Sequence, residues 1–247
     1  MKRWMAFLAI GAATMSACML PAYAEEKIMS RKVTRLKQPP KIDANWDKLP
    51  WRDIQPLPIR LHMGDRPEHF PKAEVKIAYD DAALYLIFRV EDQYVRAVTN
   101  KYQGSVCSDS CVEFFFTPGA DVSQGYFNLE MNCGGTSLFW FQRAQGKDAV
   151  KIPEDEFGKI TKAHSLPRIV DPEITTPVTW TVEYRLPLEI LKKHCPMTPP
   201  APGVVWRANF YKCGDATSHP HWLTWSPVRV PKPQFHLPEF FGKLEFE

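Results

Sequence analysis

The chain reads as an all-β protein: an antiparallel β-sandwich of two sheets, jelly-roll or immunoglobulin-like in type, with one short helix. Three observations carry that reading. Segment after segment alternates apolar and polar residues with period two, the signature of half-buried strands. The 23 prolines punctuate those segments and seldom enter them, as ladder hydrogen bonding requires. One stretch only, residues 188–194, has the look of a helical turn.

The first 24 residues stand apart. Lys2-Arg3, an apolar run from Trp4 to Leu20 and Ala22-Tyr23-Ala24 form the basic, apolar and small-residue regions of a secretory signal cut after Ala24. A buried N-terminal helix is the alternative. Met15-Ser16-Ala17-Cys18 also resembles a bacterial lipobox, which would acylate Cys18 and hold the protein on a membrane surface. The expected product is an exported protein, periplasmic or extracellular, with an outer-membrane lipoprotein as the alternative. No later stretch approaches the ~18 continuous apolar residues of a span.

Residues 25–247 then read as a single domain. Ile42-Asp-Ala-Asn-Trp46, with Trp51 soon after, forms an entry segment that packs a Trp against the core edge. Residues 74–79 and 83–90 form a hairpin around Asp80-Asp81. Residues 111–117, 126–132 and 136–142 continue the antiparallel series. The first two of these join through a Pro118-Gly119 turn, and Gly134-Gly135 supplies the positive φ of the next tight hairpin. Residues 145–177 are broken by Pro153, Pro167, Pro172 and Pro177 and read as loops with one short strand near Ile169. Residues 178–186 form a strand with Trp180, Val182, Tyr184 and Leu186 on one side. After a Pro-rich break come strands 204–212 and 242–247. Trp46, Trp51, Trp180 and Trp206 alternate with other apolar residues and belong to the core.

Composition excludes some functions. The net charge is +3, about +1 without Lys2 and Arg3, and no basic arm exists, so nothing points to nucleic acid. There is no G-x-S-x-G, H-E-x-x-H or phosphate-cradling glycine loop. Beyond the leader lie Cys107, Cys111, Cys133, Cys195 and Cys213, an odd set that allows at most two bridges. Their pairing stays open, but Cys111 and Cys133 fall on opposite strand faces and should not join. The spacings lack a paired C-x-x-C, which argues against zinc. Asp80-Asp81 is turn chemistry, with structural calcium as the open alternative. His219-Pro-His221-Trp222 reads as a loop or ligand contact rather than a metal site.

Residues two apart on a strand share a face, so one face collects Glu113, Asn128, Glu130 and Asn132, with Arg207, Asn209 and Tyr211 from a later strand. Carboxylates, amides and a guanidinium hydrogen-bond adjacent hydroxyls, and an indole from Trp140 or Trp222 stacks on a pyranose. That pattern suits carbohydrate recognition. A solvated face laced with Glu–Arg pairs explains it equally well. Glu113 and Glu130 nominally satisfy a glycoside hydrolase, but adjacent strands make them neighbours on a surface rather than walls of a cleft, so no catalytic residue is assigned.

The chain resembles family 9-like carbohydrate-binding modules, β-sandwich relatives of the DOMON superfamily. The likeness runs through Ile42-Asp-Ala-Asn-Trp46, Tyr79-Asp-Asp-Ala-Ala-Leu-Tyr85, Asp109-Ser-Cys-Val-Glu-Phe-Phe115, Tyr126-Phe-Asn-Leu-Glu-Met-Asn132, Trp180 to Glu189 and Phe241-Gly-Lys-Leu. It implies a non-catalytic module without an attached hydrolase, in which Glu113 and Asn209 bond sugar hydroxyls between two aromatic rings. Cys107 stands about where such modules carry one stacking Trp, and Lys212 follows Asn209 where the second ring is expected, which leaves Trp222. Other DOMON-type sandwiches bind haem b through Met with His or Lys. That alternative would need Met131 with His219 or His221, although parity turns Met131 toward the core. An exported structural or partner-binding module is the third reading.

Overall fold

The computed structural model describes residues 28–143 and 148–247. The leader and Cys18 lie outside the described residues. The strands, in chain order, are β1 (Ser30–Arg35), β2 (Leu57–Ile59), β3 (Leu61–His62), β4 (Lys72–Tyr79), β5 (Ala83–Asp92) and β6 (Val95–Ala97). There follow β7 (Cys111–Thr117), β8 (Tyr126–Asn132), β9 (Ser137–Gln142) and β10 (Val150–Lys151). The chain then runs through α1 (Glu154–Phe157), β11 (Thr161–His164), β12 (Val170–Ile174), β13 (Val178–Pro187) and α2 (Leu188–His194). It ends with β14 (Val205–Cys213), β15 (Trp222–Thr224) and β16 (Gly242–Phe246).

Two layers result. One follows the order β10-β9-β8-β7-β14-β16-β1, the other β1-β4-β5-β13-β11, and β6 with β12 forms a small separate ribbon. The strand β1 belongs to both layers. Residues Ser30–Val33 pair with Lys243–Phe246 of β16, and Thr34–Arg35 pair with Ala78–Tyr79 of β4. Both pairings are parallel, a departure from the all-antiparallel expectation. Hairpins impose antiparallel pairing only on strands close in sequence, and β1 meets partners delivered from far along the chain.

The alternation that marked the strands also sets the core. Phe114, Phe116, Phe127, Leu129, Met131, Trp206, Ala208 and Phe210 from one layer are buried against Ile77, Leu86, Phe88, Val90, Trp180, Val182 and Tyr184 from the other. Cys133 lies in this core and Cys111 on the other face, as parity required. Trp46 and Trp51 pack with Ala78, Ala83, Tyr85 and Ile87 on the outside of the second layer, closing the entry segment over it. Residues 145–177 hold more order than expected: β10, α1 and β11 accompany the strand near Ile169. The four-residue α1 joins α2 as a second helix.

Glycines serve two different needs at the β8–β9 turn. Gly135 has φ +79, the left-handed backbone a side chain resists, whereas Gly134 is required by crowding, since a Cβ there would stand 2.2 Å from the Arg168 carbonyl oxygen. Between β7 and β8 the left-handed residue is Gly125 (φ +94) rather than Gly119.

Candidate functional site

The outward face of β7, β8 and β14 is concave at one end. The register sets Glu113 opposite Glu130 on one side and Tyr211 on the other, and sets Cys111 opposite Cys213. A loop carrying Pro233, Gln234, Phe235 and His236 folds over this end. The result is a recess of about 190 Å³ lined by Cys107, Glu113, Phe115, Glu130, Cys213, Asp215 and Trp222 with those four loop residues. Phe235 lies flat on Tyr211, ring centres 4.1 Å apart, so the loop is seated on the sheet.

Glu113 is fully buried at the floor. Its Oε1 accepts the Cys213 thiol at 3.2 Å, and its Oε2 has no hydrogen-bond partner. Burial, reinforced by Cys213 and by Glu130 directly opposite, holds its pKa well above the usual carboxylate range. Burial likewise lifts Glu130 to about 7, against a stabilising bond from the Asn128 amide at 2.9 Å. The floor is therefore a pair of carboxyls biased toward their neutral forms, each able to donate and accept.

A polar chain leads from this floor to the rim. Asn128 Oδ1 accepts from Gln142 Nε2 at 3.0 Å, and the same Gln142 nitrogen donates to His236 Nδ1 at 3.1 Å. Tyr126 also approaches that imidazole nitrogen at 2.9 Å. Burial lowers the His236 pKa to about 4, so the ring is neutral at pH 7. On the other side of the recess, half-buried Trp222 donates its indole N–H to Asp215 at 2.8 Å. Neutral donors and acceptors set between aromatic surfaces suit an uncharged, hydroxyl-rich ligand.

The structure divides the nine sequence candidates. Glu113, Glu130 and Trp222 line the recess, and Asn128 orients Glu130 from one step away. The other five are engaged elsewhere. Asn132 bonds the Thr99 carbonyl, Asp109 and the Thr136 amide. Asn209 ties down the 224–226 corner through Ser226, and Arg207 donates to the carbonyls of Phe241 and Gly242. Tyr211 supports Phe235 and donates to its carbonyl at 3.1 Å. Trp140 donates to Gln103 at 2.5 Å with Lys151 over its ring, away from the recess.

Sequence reasoning missed Phe235, His236, Asp215 and Cys213. The first two sit in a Pro-rich tail without periodicity. Cys213 carried a legible signal, since it continues the Arg207, Asn209, Tyr211 face by one more step of two.

Other expected centres resolve as structure. Asp80 accepts the Ala82 and Ala83 amides and the Tyr85 hydroxyl, and Asp81 pairs with Arg35, which is turn chemistry. His221 is buried against the Lys212 ammonium at 2.6 Å, and His219 stacks on Tyr94 at 3.6 Å. Met131 packs in the core, as its parity indicated. All five cysteines among the described residues are free thiols, and no helix among those residues is long and apolar enough to cross a membrane.

Comparison with known proteins agrees with this fold. Residues 46–246 match the family described as carbohydrate-binding family 9. A candidate carbohydrate-binding protein from Bacteroides uniformis superposes with a TM-score of 0.80 at 29% identity, over 90% of this chain and 100% of that one. A family 9 module from Caldicellulosiruptor kristjanssonii, solved with cellotriose, gives a TM-score of 0.61 at 16% identity over 89% and 94% of the two chains. The same module solved with glucose gives 0.61 at 15% identity over 89% and 96%. No curated protein matches the chain in sequence.

Proposed function

Because the chain belongs to carbohydrate-binding family 9, we propose that it is an exported, non-catalytic module that binds the end of an oligosaccharide or polysaccharide chain in the β7–β8–β14 recess. The observation that carries this reading is the Glu113 carboxyl, sealed from solvent with one oxygen unpartnered, at the floor of a recess walled by Trp222 and Phe235. Native proteins seldom leave such a group without a partner, whether ligand, ion or water, and this one lies at the recess. A volume of about 190 Å³ is the scale of a sugar ring rather than of an extended chain, which favours a terminus. Structural neighbours were solved with glucose and cellotriose, so gluco-oligosaccharides are the first ligands to try.

Placement supports the non-catalytic reading. Glu113 and Glu130 are cross-strand partners on one floor, whereas glycoside hydrolysis needs carboxylates flanking the scissile bond. Export, with or without acylation at Cys18, is supported by the N-terminal segment alone, and cell fractionation with intact-mass measurement decides it.

A glycan array, run in chelator so that no cation contributes, tests the binding reading. Selective retention should vanish in Glu113→Ala and weaken about tenfold in Trp222→Ala, the loss of one stacking surface worth roughly 1–1.5 kcal/mol. Retention unchanged in Glu113→Ala, or no retention of any glycan, sinks the proposal.

A further inference from the structure

The floor of the recess holds a second chemistry beside the carboxyl pair. Cys111 and Glu113 are two apart on β7 and face the same way, and the β7–β14 register sets Cys213 directly across from Cys111. One donor atom from each of the three lies within 4.8 Å of the others, and all three residues are buried. Cys213 Sγ and Glu113 Oε1 are 3.2 Å apart. Tetrahedral coordination at about 2.0–2.3 Å from the ion places neighbouring ligand atoms about 3.3–3.8 Å apart, so the trio is within a small side-chain adjustment of three corners. We propose that Cys111, Glu113 and Cys213 form a binding site for a thiophilic divalent cation of the zinc class, with its fourth position opening into the recess.

Four observations argue for a built site rather than a coincidence of register. Glu113 turns Oε1 to the Cys213 thiol and keeps a buried Oε2 with no hydrogen-bond partner. Outside the cluster itself the thiols have only weak partners, the Cys111 sulfur 3.6 Å from the Val112 carbonyl and the Cys213 sulfur 3.7 Å from the Cys107 carbonyl. Two sulfurs and one carboxylate oxygen form a donor set that selects zinc-like ions over calcium or magnesium, which take oxygen ligands. Glu130, Cys107 and Asp215 line the same recess as Glu113 and Cys213 and supply further carboxyl or sulfur neighbours. Thiols and carboxyls ligate in their deprotonated forms, so an entering ion replaces protons, and affinity rises with pH. No paired C-x-x-C announces the site, because strand register does the work that sequence spacing does in a zinc finger.

The proposal goes beyond saccharide binding and shares Glu113 with it, so its test uses no sugar. The reduced full-length protein is titrated with Zn2+, and with Co2+ as an optical probe of thiolate ligation. One equivalent should bind with a sulfur-to-cobalt charge-transfer band and release of about three protons per ion near neutral pH. Cys111→Ser and Cys213→Ser should each weaken binding more than about 100-fold, while Cys195→Ser, beside α2, should leave it unchanged. The wild-type proton count stands even if a serine variant folds poorly. Absence of the band, binding that persists in the Cys111→Ser/Cys213→Ser double variant, or a Cys111–Cys213 disulfide in protein isolated from cells would overturn the assignment. No glycan retained with or without added zinc, while the metal titration succeeds, would refute the saccharide reading alone.

Discussion

Glu183 and Glu113 each project from the outer face of an interior strand, one in each layer, and both are sealed from solvent, yet their carboxylates meet opposite surroundings. Glu183 Oε2 accepts the Asp43 and Ala44 amides and the Lys48 ammonium, while Oε1 accepts the Trp51 indole N–H at 2.7 Å. Every donor comes from the entry segment, so this carboxylate is the peg on which residues 43–51 hang. Trp46 completes the cover, with Lys76 4.1 Å and Arg89 4.7 Å from its ring centre. Glu113 has one thiol contact and an unpaired oxygen under an open recess. Burial does not separate a structural carboxylate from a binding one. The origin of its donors does, and in the second case the chain has left a place for donors from outside.

The contrast breaks first, and most heavily, at Glu183→Ala. Removing the acceptor strands two amides, an indole N–H and one partner of Lys48, so unfolding free energy should fall by about 3–5 kcal/mol. The midpoint of thermal unfolding should drop on the order of 10 °C. Glu113→Ala should cost under about 1 kcal/mol in the same melt. Equal losses would mean that both residues are pegs.

Glu130 sharpens the contrast through pH. Its folded pKa, raised to about 7, lies above the ordinary glutamate value of 4.5. Between those two values the folded protein keeps a proton that the unfolded chain has released. The Glu130 contribution is therefore fully present below pH 4.5 and is lost as pH rises through 7. Urea midpoints of wild type and Glu130→Gln should coincide near pH 4 and diverge toward pH 7.5 in favour of the variant, by on the order of 2–3 kcal/mol. Parallel curves would show that Glu130 ionises normally. The smallest effect belongs to Trp140→Ala, which should leave glycan affinity within about twofold, since its indole is engaged by Gln103 outside the recess. A tenfold loss there would move the binding surface onto β9.

How much of this was legible in the chain depends on what kind of fact is asked for. Strands 74–79, 111–117, 126–132 and 178–186 were readable because alternation is a local property, and inward Trp180 and Trp206 followed from it. β1, β2, β3 and β15 were not, since short strands owe their existence to a neighbour rather than to a pattern. Parity assigned Asn132, Asn209 and Arg207 to the correct face. It could not say what covers that face, and each of the three is consumed in tying down a loop. Glu113 stood out by parity and again by family likeness, whereas Glu183, equally buried, looked like one more polar residue because its donors lie 132–140 positions away.

The double membership of β1 has a kinetic consequence. Ser30 meets Glu245 across a separation of 215 residues, so the strand that stitches the two layers has no partner until almost everything between has been placed. Contacts of such long range raise the entropic cost of the folding barrier and slow the reaction. Until the seam closes, β16 and the Ala78–Tyr79 end of β4 present unpaired edges, the kind of surface that recruits strands from other molecules. Refolding yield should therefore fall with protein concentration, and mutations along the seam should change that yield before they alter the finished fold.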